Sequence, residues 1–157
     1  MTQKNNGQIL PLLPRHIPRM AQIEQLCFTD PWSEAVLQSE LDAPLAQYFI
    51  YEAAGQVLGY IGTRMILDVC EIANVAVDPA HRRKGIALQL YRALEEECRR
   101  RRITQLELEV RESNLGAQSF YRFCGFAPVG KRRNYYESPR EDAILMRRVL
   151  GEKEEQV

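Results

Sequence analysis

The stretch Val75-Ala76-Val77-Asp78-Pro79-Ala80-His81-Arg82-Arg83-Lys84-Gly85-Ile86-Ala87 passes from an apolar run through a basic loop into an amphipathic pattern. Residues 70–77, CEIANVAV, are nearly all apolar and are closed by Asp78-Pro79, which predicts a central strand buried on both faces. Beyond Gly85, the side chains of Ala87, Leu90, Tyr91, Leu94 and Cys98 form the inner stripe of a helix ending near Arg102. Its last turn, Arg99-Arg100-Arg101-Arg102, complements the negative end of the helix dipole. Such a strand-loop-helix passage suits an anion. Gly85 lets the backbone approach a ligand closely, the first-turn N–H groups point at it, and Arg82, Arg83 and Lys84 bring positive charge. Taken alone, the loop reads equally well as a solvated basic turn. It is neither a GxxxxGK[ST] nor a GxGxxG loop.

Upstream, Ile17, Met20, Ile23, Leu26 and Cys27 recur at three- and four-residue steps over residues 17–28, an amphipathic helix ended by Asp30-Pro31. Ser33 suits the N-cap of a second short helix with Val36, Leu37 and Leu41 inside. Residues 48–54 and 57–67 are rich in aromatic and β-branched side chains and flank Gly55-Gln56, which reads as a hairpin. Downstream, residues 103–111 alternate, with Leu106, Leu108 and Val110 on one face and Gln105, Glu107, Glu109 and Arg111 on the other, as in a strand. A third strong helix starts near Ser113-Asn114, carries Ala117, Phe120, Tyr121 and Cys124 inward, and stops at Gly125. Two last strands, 127–137 and 143–150, are joined by Ser138-Pro139-Arg140-Glu141-Asp142. The order ααββββαβαββ predicts an α/β chain with one mixed sheet flanked by helices.

Composition bounds the function. With 157 residues, 45% of them hydrophobic, one domain over 1–157 is expected, with a core near 10–150 and a polar, frayed tail at 151–157. Lys plus Arg equals Asp plus Glu at 21 each, which argues against a surface built throughout to hold nucleic acid. No run approaches the roughly 20 apolar residues of a membrane span, and the polar start MTQKNNGQ lacks a signal-peptide core, so a cytoplasmic location without membrane contact is expected. Cys27, Cys70, Cys98 and Cys124 are too far apart for a CxxC knuckle, and His16 and His81 have no metal-ligand spacing. Four reduced, mostly buried thiols and no metal are the expectation.

The motifs together resemble a known family. Arg82-Arg83-Lys84-Gly85-Ile86-Ala87 fits the [R/Q]-x-x-G-x-[G/A] signature of the GNAT N-acetyltransferases, and it lies between an apolar strand and a helix as that family requires. The segments Pro31-Trp32-Ser33, Asn74-Val75-Ala76-Val77-Asp78-Pro79, Leu108-Glu109-Val110-Arg111, Ser113-Asn114, Phe120-Tyr121, Gly125-Phe126, Arg132-Arg133-Asn134-Tyr135-Tyr136 and Arg140-Glu141-Asp142-Ala143 resemble the branch of RimI-type ribosomal-protein-alanine N-acetyltransferases. The resemblance runs from about Leu10 to Val149. It implies the GNAT acyl-CoA N-acyltransferase fold: a central, mostly antiparallel sheet with a splayed acetyl-CoA-binding strand and about four helices.

By position, the resemblance implies that acetyl-CoA lies along Val75, Ala76 and Val77. It also places the pyrophosphate on Arg83, Lys84, Gly85, Ile86, Ala87 and Leu88, with Asn114 as a further contact. Ala87 stands where many members have glycine, and its methyl group narrows the approach. Direct transfer without an acyl-enzyme is implied. Glu109 matches the base, Tyr121 the acid that protonates the departing thiolate, and a backbone N–H near Val75 or Ala76 the oxyanion donor. The residues themselves lend support, since Glu107 and Glu109 put carboxylates into a strand of a helix-flanked sheet, where burial is costly unless they are used or paired. The plainer alternatives are solvated glutamates on an open face and a core aromatic beside Phe120. Tyr135 and Tyr136 are candidates to line a peptide channel, and Glu137, Glu141 and Asp142 to steer a basic peptide.

The acceptor implied is the N-terminal alanine of a small-subunit ribosomal protein with a basic tail. An α-amino group with a pKa near 8 is about one-tenth neutral at pH 7, whereas a lysine is neutral in roughly one molecule per few thousand. Other protein N-termini or lysines are the alternative acceptors. A different class is also open: an inactive acyl-CoA-binding or ribosome-docking module, with the Arg99 to Arg102 run and Arg132-Arg133 on RNA.

Overall fold

The structure, a computed structural model, describes residues 7–151. In chain order these form β1 (Gln8–Leu10), α1 (Ile17–Cys27), α2 (Glu34–Glu40), β2 (Ala46–Ala53), β3 (Gln56–Ile66) and β4 (Val69–Val77). Then follow α3 (Ile86–Arg100), β5 (Gln105–Arg111), α4 (Leu115–Phe123), β6 (Ala127–Glu137) and β7 (Arg140–Val149). Single 3₁₀ turns, Pro14–His16 and Pro79–His81, precede α1 and follow β4. The seven strands make one sheet in the order β1-β2-β3-β4-β5-β7-β6. Every neighbouring pair is antiparallel except β4 with β5.

Each face of the sheet carries two helices. Ile17, Met20 and Ile23 of α1 and Leu37 of α2 pack on Tyr48, Ile50, Tyr60 and Ala76. On the other face Leu90, Leu94 and Cys98 of α3 and Tyr121 of α4 pack on Ile61, Ile72, Leu106, Leu108 and Val110. The caps are those the sequence predicts: the Ser33 hydroxyl accepts from Val36 N–H at 3.2 Å and the Asn114 side chain from Ala117 N–H at 3.1 Å.

Several expectations are corrected. The predicted order has four strands after α2; three are there, and the fourth is β1, paired with β2 at the edge. Strand β4 is not buried on both faces: Glu71 and Ala73 are exposed, because α1 and α2 cover β2, β3 and the far half of β4 only. On α2, Val36 is exposed and Glu40 takes the inner place beside Leu37. Arg140, Glu141 and Asp142 belong to β7, so Ser138-Pro139 alone turns the last hairpin. All four cysteines are free, and Cys27 is only half-buried. The tail predicted to fray lies, beyond Gly151, outside the described residues. No helix among the described residues is long and apolar enough to cross a membrane, and no group of His, Cys, Asp or Glu among them could hold a metal.

Candidate active site

A parting of two strands creates the site. Strands β4 and β5 pair only where Val69, Cys70 and Glu71 meet Gln105, Leu106 and Glu107. The cause sits two residues beyond Glu71. Gly62 pairs with Asn74 and Thr63 with Ile72, so Ala73 is an extra residue in β4. Such a bulge bends its strand and strengthens the local twist, carrying residues 74–77 with β3 and away from β5. Asp78 N–H donates to Leu58 C=O at 2.8 Å, so strand alternation turns the main-chain groups of Ala76 toward β3 and those of Val75 and Val77 toward the gap. Of the two oxyanion donors considered, only the Val75 N–H is thereby left free of the ladder. The thiol of Cys27 stands at the far end of the gap, donating to Val77 C=O at 3.5 Å.

The loop after β4 is held from beneath. Asp78 accepts from Ala80 N–H at 3.0 Å and ion-pairs with Arg19 of α1, which fixes where β4 stops. Arg83 and Gly85 both have positive φ, 67° and 79°, and Gly85 is the N-cap of α3. Gly85 C=O accepts the first helical bond, from Gln89 N–H, so the N–H groups of Ile86, Ala87 and Leu88 have no partner within the helix. A Cβ built on Gly85 meets nothing within 4 Å. Arg82, Arg83 and Lys84 are exposed around this open, donor-lined cradle, and Arg82 also reaches the Cys27 sulfur at 3.3 Å. These features fit a diphosphate.

Below the gap, α4 brings Tyr121 under β5. Its ring packs edge-on against Phe120 and Phe126, with centroids 5.3 Å and 5.5 Å away. The hydroxyl makes no hydrogen bond to the described residues. Burial, with the Cys124 thiol adding to it, pushes the phenol well above its ordinary pKa, so it holds its proton. The Asn114 oxygen is taken by the helix cap, which leaves its amide N–H groups for a ligand.

Glu109 projects to the opposite face of β5, on the side of α1 and α2. Its carboxylate is 27% exposed and accepts from Arg132 Nε at 2.7 Å and from the Tyr135 hydroxyl at 3.5 Å. Glu107 is likewise paired, with Arg147 at 2.9 Å. The expectation of costly buried carboxylates therefore gives way to half-buried ones that each hold an arginine. Tyr135 and Tyr136 stand edge to face at 5.0 Å, and Tyr136 lies beneath the Arg111 guanidinium at 4.3 Å. Glu141 is a structural tie, accepting from Ser113 N–H at 2.6 Å and Arg111 at 3.2 Å. Those bonds hold its carboxyl below the usual range. Of the basic clusters considered for RNA, Arg99, Arg100 and Arg101 pair with Glu95 and Glu97, and Arg132 is engaged by Glu109.

Sequence reasoning missed one residue. Glu24 is 1% exposed and accepts from the Tyr60 hydroxyl at 2.6 Å, Asn74 Nδ2 at 2.6 Å and Trp32 N–H at 2.8 Å. It thereby ties the α1–α2 loop to the bulged strand just ahead of Val75. The signal was present: Glu24 lies four residues after Met20 and three before Cys27, on the inward stripe of α1.

A strand bent away from its parallel neighbour, with a donor-lined helix start beyond it, defines a class of acyl-CoA-dependent transferase. Residues 17–126 match the Acetyltransferase (GNAT) family, and the chain belongs to that family of N-acetyltransferases, whose acetyl donor is acetyl-CoA. Among relatives, the putative [ribosomal protein bS18]-alanine N-acetyltransferase of Bacillus subtilis is 37% identical over 131 residues, covering 83% of this chain and 87% of that one. The [ribosomal protein bS18]-alanine N-acetyltransferase of Escherichia coli K12 is 35% identical, covering 83% and 88%. The crystal structure of the ribosomal-protein-S18-alanine N-acetyltransferase from Escherichia coli superimposes with a TM-score of 0.86 at 33% identity, covering 96% of this chain and 98% of that one.

Proposed function

We propose that this chain transfers the acetyl group of acetyl-CoA to the N-terminal alanine of a basic ribosomal protein in the cytoplasm, by direct attack in a ternary complex. The observation that carries the reading is the parting of β4 from β5, which opens the Val75 N–H to the gap. Glu109 lies on one face of the neighbouring strand and Tyr121 beneath the other. The names of the relatives support the acceptor.

The pyrophosphate rests on the Gly85 loop and the N–H groups of Ile86, Ala87 and Leu88. Glu109 takes a proton from the incoming ammonium, directly or through one water. The neutral nitrogen attacks the thioester carbonyl carbon, and the oxyanion that forms accepts from Val75 N–H. When the C–S bond breaks, the sulfur leaves with its electron pair and takes the proton of Tyr121, whose raised pKa keeps that proton in place until then. The nitrogen, positively charged once bonded to carbon, gives up its second proton through solvent as the amide forms, ionised Tyr121 regains a proton from solvent, and protonated Glu109 releases its own.

The test uses short basic peptides that differ only in the first residue and in having a free or blocked N-terminus with an internal lysine. Lysine begins about 2.5 pKa units further from neutrality, which is roughly 3.4 kcal/mol, so the free alanine terminus is expected to win in kcat/KM. Mass spectrometry locates the acetyl group. Preference for the internal lysine overturns the N-terminal reading, and RNA binding without thiol release from acetyl-CoA favours the module instead.

A further inference from the structure

The guanidinium of Arg111, at the C-terminal end of β5, meets four groups. It donates to Pro139 C=O at 2.9 Å, to Ser138 C=O at 3.2 Å and to Glu141 at 3.2 Å, and it covers the Tyr136 ring at 4.3 Å. All four belong to the β6–β7 turn or its flanks. One of them, Glu141, carries the grip onward to Ser113 N–H, where β5 enters α4. From the opposite side the Thr29 hydroxyl, in the α1–α2 loop, donates to the same Ser138 C=O at 2.7 Å. Two segments 109 residues apart therefore meet over the face on which Glu109 lies.

An exposed turn on the edge strand has no packing to hold it. Strand β6 is exposed along almost its whole length, and its register with β7 breaks between Arg132 and Tyr136. Left to itself such a segment opens at little cost. Arg111 supplies the missing restraint from a rigid strand, and only a planar fork can serve two carbonyls, a carboxylate and a ring face at once.

We infer that Arg111 is a positioning residue for the acceptor peptide: it holds the β6–β7 turn against the α1–α2 loop, so that Tyr135 and Tyr136 wall the approach to Glu109. The inference rests on the reading of Glu109 as the acceptor site. It touches neither the reacting atoms nor the diphosphate cradle, so its loss weakens peptide capture more than chemistry or acetyl-CoA binding.

The experiment compares Arg111→Ala, Arg111→Lys and Thr29→Val with the unmodified protein. It measures kcat and KM for an alanine-initiated basic peptide, the Kd of acetyl-CoA by calorimetry, and amide hydrogen exchange over residues 134–142. For Arg111→Ala the expected result is a peptide KM raised about 10-fold or more, a kcat lowered less than about 3-fold and an acetyl-CoA Kd within about 2-fold. Exchange should be faster over residues 134–142 and unchanged in β5. Arg111→Lys should recover only part of the KM, because one ammonium cannot replace the fork. Thr29→Val releases the turn from the other side without touching β5, should raise KM by a smaller factor, and decides the matter if Arg111→Ala does not fold. An unchanged peptide KM overturns the role of Arg111, as does an acetyl-CoA Kd that weakens as much as KM rises. Absence of turnover by the unmodified protein overturns instead the acceptor reading on which the inference stands.

Discussion

In the proposed mechanism Glu109 serves as the base while already holding an arginine. Arg132 occupies one oxygen of the carboxylate and leaves the other, which the Tyr135 hydroxyl approaches at 3.5 Å, to face an amine. An α-amine, already close to neutrality, asks less of such a base than lysine does. Glu109→Gln should lower kcat/KM by about 10²-fold at pH 7, and the loss should shrink from pH 6 to 9 as more α-amine arrives neutral. A variant with the unmodified rate at every pH removes Glu109 as the base. As the proposed acid, Tyr121 meets the opposite demand. Its raised pKa means that the proton is bound more tightly than in free tyrosine, so its supply to the thiolate persists through pH 9. Tyr121→Phe keeps the packed ring and should lower kcat by roughly 10² to 10⁴, with the Kd of acetyl-CoA nearly unchanged and no loss of rate in the unmodified protein traceable to Tyr121 below about pH 10. Equal turnover by the two proteins reduces Tyr121 to packing.

Among the elements, the start of α3 is where the proposed cradle rests on conformation rather than on side-chain charge. Gly85 has φ 79° and ψ 13°, a region a β-branched residue enters only under strain, and the space its Cβ would fill faces the open cradle. Gly85→Val should raise the Kd of acetyl-CoA at least about 10-fold more than Lys84→Ala does, because backbone donors survive loss of one side chain. Calorimetry giving equal losses would rule out a main-chain cradle. This loop was legible in the sequence because glycine and the helical stripe announce themselves locally, as do the caps Ser33 and Asn114. The bulge at Ala73 was not, since CEIANVAV looks the same whether or not one residue is skipped by its partner strand. Strand β1 spans only Gln8–Leu10, too short for any period to show. Arg140, Glu141 and Asp142 looked like loop because β7 lies beside the exposed β6, where no burial imposes alternation. The clamp of Arg111 joins residues far apart in sequence, and only the fold brings them together.

At the scale of the whole molecule, the α1–α2 layer is fastened to the sheet by ion pairs as well as by its apolar stripe. Arg64 of β3 grips Glu40 of α2 through two bonds of 2.7 Å, with the Tyr48 hydroxyl donating to the same carboxylate at 2.8 Å. Arg15, ahead of α1, pairs with Glu52 of β2. Arg64 holds Glu40 below the usual carboxylate range despite the opposing effect of burial, and Arg15 does the same for Glu52. A carboxylate whose folded pKa is lowered stabilises the fold above its unfolded value, near 4.3, and that contribution is lost as pH falls through the lower folded value. The α1–α2 layer should therefore loosen first in acid, below about pH 4. The only tryptophan reports on it, since Trp32 lies between α1 and α2, packs on their core and is bonded to Glu24. On lowering pH from 7 to 2, the Trp32 emission shift should precede the loss of far-UV circular dichroism by at least about half a pH unit. Arg64→Met leaves Glu40 buried without its cation, which raises its folded pKa and should move the emission transition to higher pH. Coincident transitions in the unmodified protein, or an emission midpoint unmoved by Arg64→Met, would show that apolar packing alone fastens this layer.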